Sequence, residues 1–464
     1  MIKNNLDDFL IDYSLCEKYS IEILKKYKIL PIKEYDIFIL VASVCDYEYP
    51  GDVYDIFDKP VKFLVVEQKK IELEFAYLKQ KIELYHLALN SLNNQNDETK
   101  SKKNISLFCD NLFDIAIKLQ SSDIHIESLK DTMVIRFRIH GIMVQFFKFN
   151  WEFCQTLSSI IKLFASLDIS LKRLPQDGRF SKTINNNEYD FRVSTLPIIN
   201  GESIVIRILD NKKAYIKLEE LGLDLQSYDA IVRNIALKNG MILITGATGS
   251  GKTTTIYSIL NKLNNKQKKI ISIEDPVEYN LEGVMQVNIN NEIGLSYENV
   301  LKNILRQDPD ILMIGEIRDK NSLQIAIQAS LTGHLVLATL HTNDAASTID
   351  RLLDLEAEPF LIASTLRLII SQRLIRVLCD NCKVKVGNYY KAVGCEKCNL
   401  SGFSKREVVA ENLEIDSKIA KMIQEKTPTQ DILSYANYTP IKQIIYNKVL
   451  NGITSLDEYN IYEI

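Results

Sequence analysis

The 464-residue chain predicts an α/β fold built around a parallel sheet, and three observations carry that expectation. Between residues 220 and about 375, short apolar runs of strand length alternate with helical stretches, which implies a parallel sheet covered by helices on both faces. The first of these runs feeds directly into a glycine-rich loop that opens a helix. Upstream, residues 105–212 alternate apolar and polar residues with period two, the mark of a sheet with one exposed face.

From the N-terminus, residues 1–90 read as a small mixed domain. Ile21, Ile23 and Leu24 give residues 19–27 helical periodicity, closed by Leu30 and Pro31. Residues 37–42 are an apolar run that by length is a buried strand or helix segment, far short of the roughly 18–20 residues that cross a bilayer. Residues 61–66 are strand-like, and residues 71–88 place apolar side chains at mostly three- and four-residue steps, as one helix does. Residues 91–104 are polar and rich in Asn, the composition of a flexible linker and a hinge.

The second domain, 105–212, opens on an amphipathic helix at 108–119. Strands follow at 123–127, 134–139, 189–194 and 203–209. Asp123, His125 and Glu127 share one strand face, which invites a metal reading. Ligands at i, i+2 and i+4 span about 13 Å, too far for one ion, so their role is read as structural.

In the third domain, 213–375, residues 241–245 are a buried strand and residues 253–263 a helix. Between them Gly246-Ala247-Thr248-Gly249-Ser250-Gly251-Lys252-Thr253 fits GxxxxGK[ST]. That frame turns a pattern into a phosphate site. Glycines let backbone N–H groups curl around phosphate oxygens without a Cβ clash, and the helix N-terminus adds partial positive charge. Lys252 can reach the β/γ-phosphates, and the Thr253 hydroxyl is placed to hold Mg²⁺. Gly246, Thr248, Gly249, Ser250, Gly251 and Thr254 complete the candidate nucleotide contacts. Two further strands end in carboxylates, one in Glu274-Asp275-Pro276-Val277-Glu278 and one in Gly315-Glu316-Ile317-Arg318-Asp319; a third ends in His341-Thr342-Asn343. Parallel sheets bind ligands at these ends, and phosphoanhydride hydrolysis needs a metal plus a group that orients water.

Cys379-x2-Cys382, a 12-residue gap and Cys395-x2-Cys398 form a tetrathiolate pattern. Four soft ligands suit a closed, structural Zn²⁺ site; an iron–sulfur cluster is the competing reading. Cys16, Cys45, Cys109 and Cys154 are isolated and read as small buried apolar residues. Residues 411–464 are helical and polar. The net charge of −4 and pI near 5.9 give no drive toward nucleic acid, and the first residues lack the features of a signal peptide. A cytoplasmic location is the default expectation.

Together the glycine loop, Glu-Asp-Pro-Val-Glu (274–278), residues 305–310 with 315–319, and residues 339–343 closely resemble the secretion ATPases of the GspE/PilB type, which drive type II secretion and type IV pilus assembly. The likeness covers roughly residues 105–410, including segments 122–127, 174–179 and 200–203. It implies a RecA-like P-loop ATPase core preceded by an α+β, PAS-like domain, with ATP between the two. Position by position, Glu278 matches the glutamate credited with activating water, Glu274 lines the same strand end, Glu316 matches the glutamate near Mg²⁺ and water, and His341 matches the His box. Which of Glu278 and Glu316 is the base stays open, since neighbouring carboxylates titrate as a set.

Arg192 and Arg207 match family arginines that reach the nucleotide, a contribution of about 10³–10⁵ in rate for an arginine finger. Arg306, Arg318 and Arg351 match arginines at subunit contacts. Ala247 replaces the usual Pro, Lys302 an Arg and Lys405 a Gly. The tetracysteine insert, 376–410, resembles that of the assembly-type ATPases and is absent from the pilus-retraction type. The resemblance further implies a homo-hexamer, an inner-membrane platform protein as partner, and membrane contact only through partners, with residues 1–90 docking a cytoplasmic-facing one. A nucleic-acid motor and a non-hydrolysing, nucleotide-gated scaffold are the rival readings, and type II secretion and type IV pilus or competence systems are not separated.

Overall fold

The structure is a computed structural model that describes residues 4–44, 51–94, 97–436 and 438–462. They divide into two compact units, Met1–Leu209 with Gly394–Gly402, and Asp210–Val393 with Phe403–Ile464.

The first unit opens on a three-stranded sheet, β1 (Ile29–Glu34), β2 (Ile39–Ser43) and β3 (Val61–Val65), with β1–β2 antiparallel and β2–β3 parallel. Leu30 and Pro31 lie inside β1 and do not close the preceding helix. That helix, Ile21–Tyr27, ends at Lys28 in the left-handed region. β1 is a sheet edge, where the missing N–H of a proline costs little. Cys45 lies outside the described residues, whereas Cys16, Cys109 and Cys154 are buried.

Two expectations change here. Residues 71–88 are not one helix but parts of two, Gln68–Ala76 and Leu78–Asn93. They part at Tyr77, whose ring meets Phe146 edge-on at 5.7 Å and whose hydroxyl donates to Asn399 Oδ1 at 2.7 Å. The polar stretch read as a linker is helical on both sides, with the first helix reaching Asn93 and the next running Glu98–Lys118; Gln95 and Asn96 lie outside the described residues. Its polar residues have local work. Asp97 caps the second helix by accepting from the Lys100 N–H, Glu98 pairs with Lys102 one turn on, and the buried Ser91 and Ser101 hydroxyls lie 3.2 Å apart. A composition that suits disorder suits caps and helix pairs equally well.

The rest of this unit is a six-stranded sheet formed by β4 (Ser121–Ser128), β5 (Thr132–Ile139), β6 (Ile142–Asn150), β7 (Gln176–Ile184), β8 (Asn187–Ile198) and β9 (Gly201–Asp210). The order is β6-β5-β4-β9-β8-β7. Helices Glu98–Lys118 and Trp151–Phe164 bring Phe108, Phe113 and Phe153 into a core shared with Phe137, Phe147 and Phe191. Asp123 and Glu127 spend their charge on arginines of neighbouring strands. Asp123 pairs with Arg207 at 3.0 Å and Arg138 at 3.7 Å, and Glu127 pairs with Arg136.

The second unit holds β10 (Gly240–Thr245), β11 (Ile270–Glu274), β12 (Val284–Asn288), β13 (Ile311–Ile314), β14 (Leu335–Leu340) and β15 (Leu366–Leu378), then a hairpin of β16 (Val384–Val386) and β17 (Tyr389–Lys391), and β18 (Phe403–Glu414). Seven of these make one sheet in the order β12-β11-β13-β14-β10-β15-β18. The pairings from β12 through β15 are parallel, as β10 against β14 and β15 illustrates. β18 departs from the expected pattern by running antiparallel to β15. The chain returns to its neighbour through the cysteine loop instead of a crossover helix, and an antiparallel partner is what such a return permits.

Alternation along each parallel strand splits its side chains between two cores. Met241, Leu243, Ile271, Ile273, Leu312 and Ile314 face one cluster; Ile242, Ile244, Ile270, Ile311 and Met313 face the other. Burial on both faces explains why these strands read as unbroken apolar runs. Helices Ser417–Gln424, Thr429–Tyr435, Ile441–Leu450 and Leu456–Ile461 close the chain. Among the described residues, no helix is long and apolar enough to cross a membrane.

Candidate active site

Because β10, β11, β13 and β14 are parallel neighbours, their carboxyl ends open on one edge of the sheet. From β10 emerges the glycine loop, followed by helix Lys252–Leu263 with Gly251 as its N-cap, φ 89°. Gly246 has φ 143°, and a Cβ there would lie 2.5 Å from the Gln372 carbonyl oxygen. Gly249, φ 79°, has nothing within 4 Å of such a Cβ, so backbone conformation alone demands glycine at the open rim. Thr248 is exposed, and Thr253 and Thr254 are half-buried in the first helical turn. The Lys252 ammonium donates to the carbonyls of Gly246 at 2.6 Å and Ala247 at 3.1 Å. Burial lowers its pKa, against the opposing pull of the Glu316 carboxylate.

At the end of β11, Glu274 is buried and both its oxygens are engaged. Tyr257 donates to Oε2; Ser272, at 2.7 Å, and Gln286, at 3.1 Å, donate to Oε1. Burial, followed by the Glu274 charge, pushes the Tyr257 hydroxyl far above its ordinary pKa. The carboxylate thus ties helix Lys252–Leu263 to the strand end. Glu278 stands four residues on, half-buried. Past β13, Gly315 packs so closely that a Cβ would meet the Ile273 carbonyl at 3.0 Å. The next residue, Glu316, accepts from Arg318 Nε at 2.7 Å and lies 3.3 Å from His341 Nε2. Arg318 also reaches Asp275 at 3.3 Å, and the Glu316 bond leads the causes that raise its pKa. His341, just past β14, is half-exposed.

Lys252, Glu274, Glu316 and His341 therefore stand at adjoining strand ends of the second unit. Arg192 and Arg207 belong to the first unit. Arg192 is half-buried on β8 opposite Arg179 of β7, and Arg207 holds Asp123 through Nε at 3.0 Å. Lys302 pairs with Glu298 one turn away on its helix, and Lys405 lies 3.5 Å from Glu407.

The Sγ atoms of Cys379, Cys382, Cys395 and Cys398 lie within 4.8 Å of one another, the one such group found among the described residues. Cys395 and Cys398 are 3.8 Å apart, close to the edge of about 3.8 Å that a tetrahedron with 2.3 Å Zn–S bonds requires. Backbone N–H groups of Cys395 and Gly402 each donate to Cys398 Sγ from 3.2 Å. The donor set fits a four-coordinate metal.

A family model described as type II/IV secretion system protein matches residues 98–461. The chain belongs to that family. The type II secretion system ATPase E of Vibrio cholerae is 41% identical over 362 residues, covering 74% of this chain and 72% of that one. The type IV pilus assembly ATPase PilB of Myxococcus xanthus is 34% identical over 501 residues, covering 98% of this chain and 87% of its own. Among solved structures, the pilus retraction motor PilT with bound ADP matches with TM-score 0.54 and 26% identity, covering 76% of this chain and 96% of that one. The family is one of secretion and pilus ATPases, in keeping with the strand-end chemistry.

Two buried polar side chains brace the loops of the site from β15 and β18. Gln372 is buried on β15 and donates from Nε2 to the Ser250 carbonyl at 2.8 Å. Glu411, buried on β18, accepts the N–H of Ala345 at 2.7 Å and of Ile441 at 2.8 Å, and burial raises its pKa. Glu411 lies with Gly402, Phe403 and Arg406 in a segment that resembles the family's, whereas nothing in the sequence points to Gln372.

Proposed function

We propose that this chain is an ATP hydrolase that works as a homo-hexameric motor, powering assembly of a pseudopilus or pilus. The observation that carries the reading is the joining of a complete glycine loop to Glu316 and His341 at one sheet edge. The P-loop N–H groups and the helix N-terminus bind the phosphates, and Lys252 exchanges its two loop carbonyls for phosphate oxygens. Thr253 is the residue that holds Mg²⁺, which when bound neutralises charge on the transferred phosphoryl group. Glu316, fixed by Arg318 and His341, and Glu278 at the neighbouring strand end orient and deprotonate water. Glu274 acts behind them, keeping strand and helix in place. Arg192 and Arg207 are carried as nucleotide contacts on the family resemblance of their positions.

Cys379, Cys382, Cys395 and Cys398 hold a structural Zn²⁺, and residues 1–90 dock a cytoplasmic-facing partner at the inner membrane. The PilB likeness over 98% of the chain and the type II secretion relatives both support an assembly motor. The test is Mg-ATP turnover by the full chain, with molecular mass in solution measured alongside. Turnover that requires Lys252 and a six-fold assembly with nucleotide are expected. Absence of turnover would overturn the hydrolase reading, turnover independent of Lys252 the assignment of the P-loop as its site, and a stable monomer at working concentration the hexamer.

A further inference from the structure

β15 runs beside β10 with Thr245 and Ser371 in register, so its residues 371–373 lie level with the entry to the P-loop. Successive side chains of a strand leave on opposite faces, and here the two faces serve two different loops. Gln372 turns one way. Its amide donates to the Ser250 carbonyl at the far side of the P-loop, while its own carbonyl sits 2.5 Å from where a Cβ on Gly246 would be. Ser371 and Arg373 turn the other way, to the Asn343 carbonyl two residues beyond His341, at 3.3 Å from Oγ and 2.6 Å from Nη2. Arg373 Nη1 donates to the Gln372 carbonyl at 3.0 Å.

Among the described residues Arg373 makes no ion pair. Its fork is used on two main-chain carbonyls, one in each loop's support. A guanidinium can hold two acceptors at fixed separation in this way and an ammonium cannot. Gln372 Oε1 and Ser250 Oγ are buried without a hydrogen-bond partner, so polar capacity remains beside the loop, where the Gln372–Ser250 bond is the fixed point.

We infer that Gln372 and Arg373 are positioning residues, a splint in β15 that sets the P-loop and the His341 loop relative to each other. Neither needs to touch the nucleotide; both fix the groups that do. This rests on the hydrolase reading above.

The test is turnover of Mg-ATP by full-length Arg373→Lys and Gln372→Leu, with kcat and KM separated, and Arg373→Lys repeated on a His341→Ala background in single turnover. Misplacement of reacting groups predicts a fall in kcat of about 10–100-fold with KM for ATP within about threefold. Since Arg373 acts through the His341 loop, its replacement should cost less than about twofold once His341 is gone. Arg373 is half-exposed, so its Lys variant keeps the test valid even if Gln372→Leu fails to fold. Unchanged kcat in Arg373→Lys, a loss confined to KM, or a full loss on the His341→Ala background would each overturn the inference. Wild-type chain without turnover would instead defeat the hydrolase reading, whereas normal wild-type turnover with indifferent variants defeats only the splint.

Discussion

The strand-end site and the cysteine loop are both clusters of polar groups gathered by the fold, yet they are built to opposite plans. At the strand ends, donors and carboxylates are held by side chains behind them and left with capacity in front. Lys252 rests on two carbonyls that it can give up, Glu316 is steered by Arg318 and His341, and the Gly249 rim is open. In the cysteine loop, four sulfurs turn on one another within 4.8 Å and leave no position for a substrate. Chemistry needs the first arrangement and a folded loop needs the second, so removing a group should cost rate in one place and structure in the other.

The largest expected effect is in the cysteine loop. On the proposed zinc site, stripping the metal with a chelator should remove on the order of 10 kcal/mol of folding free energy from that insert, and Cys395→Ser a part of it, read as proteolytic cleavage within residues 379–402 and zinc release. Uncleaved, metal-free protein would break the comparison. Next come the carboxylates. Glu316→Gln and Glu278→Gln should each slow turnover by about 10²–10⁴-fold while ATP affinity, measured with a fluorescent analogue, stays within a few-fold. A variant at wild-type rate loses its assigned role.

Gly246→Ala should cost about 1–3 kcal/mol from backbone strain alone, with more from the collision with Gln372, seen as a lower denaturant midpoint and weaker nucleotide binding together. The smallest effect is at Tyr257→Phe. Deleting a donor to the buried Glu274 should cost about 1–3 kcal/mol and appear in stability before it appears in KM, which would sharpen the distinction between Glu274 as support and Glu316 as chemistry.

Much of this was legible in the sequence, for a physical reason. The glycine loop, the acid-tipped strands and the paired cysteines depend on residue types at fixed short spacing, and spacing survives in a linear string. Parallel strands buried on both faces also announce themselves as apolar runs, as 241–245 and 335–340 do. Contacts between distant segments left no such trace. Tyr77, between two helices, meets partners at 146 and 399, and Gln372 reaches Ser250 across 122 positions. The stretch 91–104 misled in another way. Asp97, Glu98 and Ser101 are the residues of a linker by composition, and only their capping and pairing partners make them a helix. Pro31 likewise depends on β1 being an edge.

The most direct test is phosphate release from Mg-ATP by the full-length chain beside Lys252→Ala. The account predicts steady hydrolysis by the first and loss of turnover and of ATP binding in the second. Equal rates in the two proteins would contradict it.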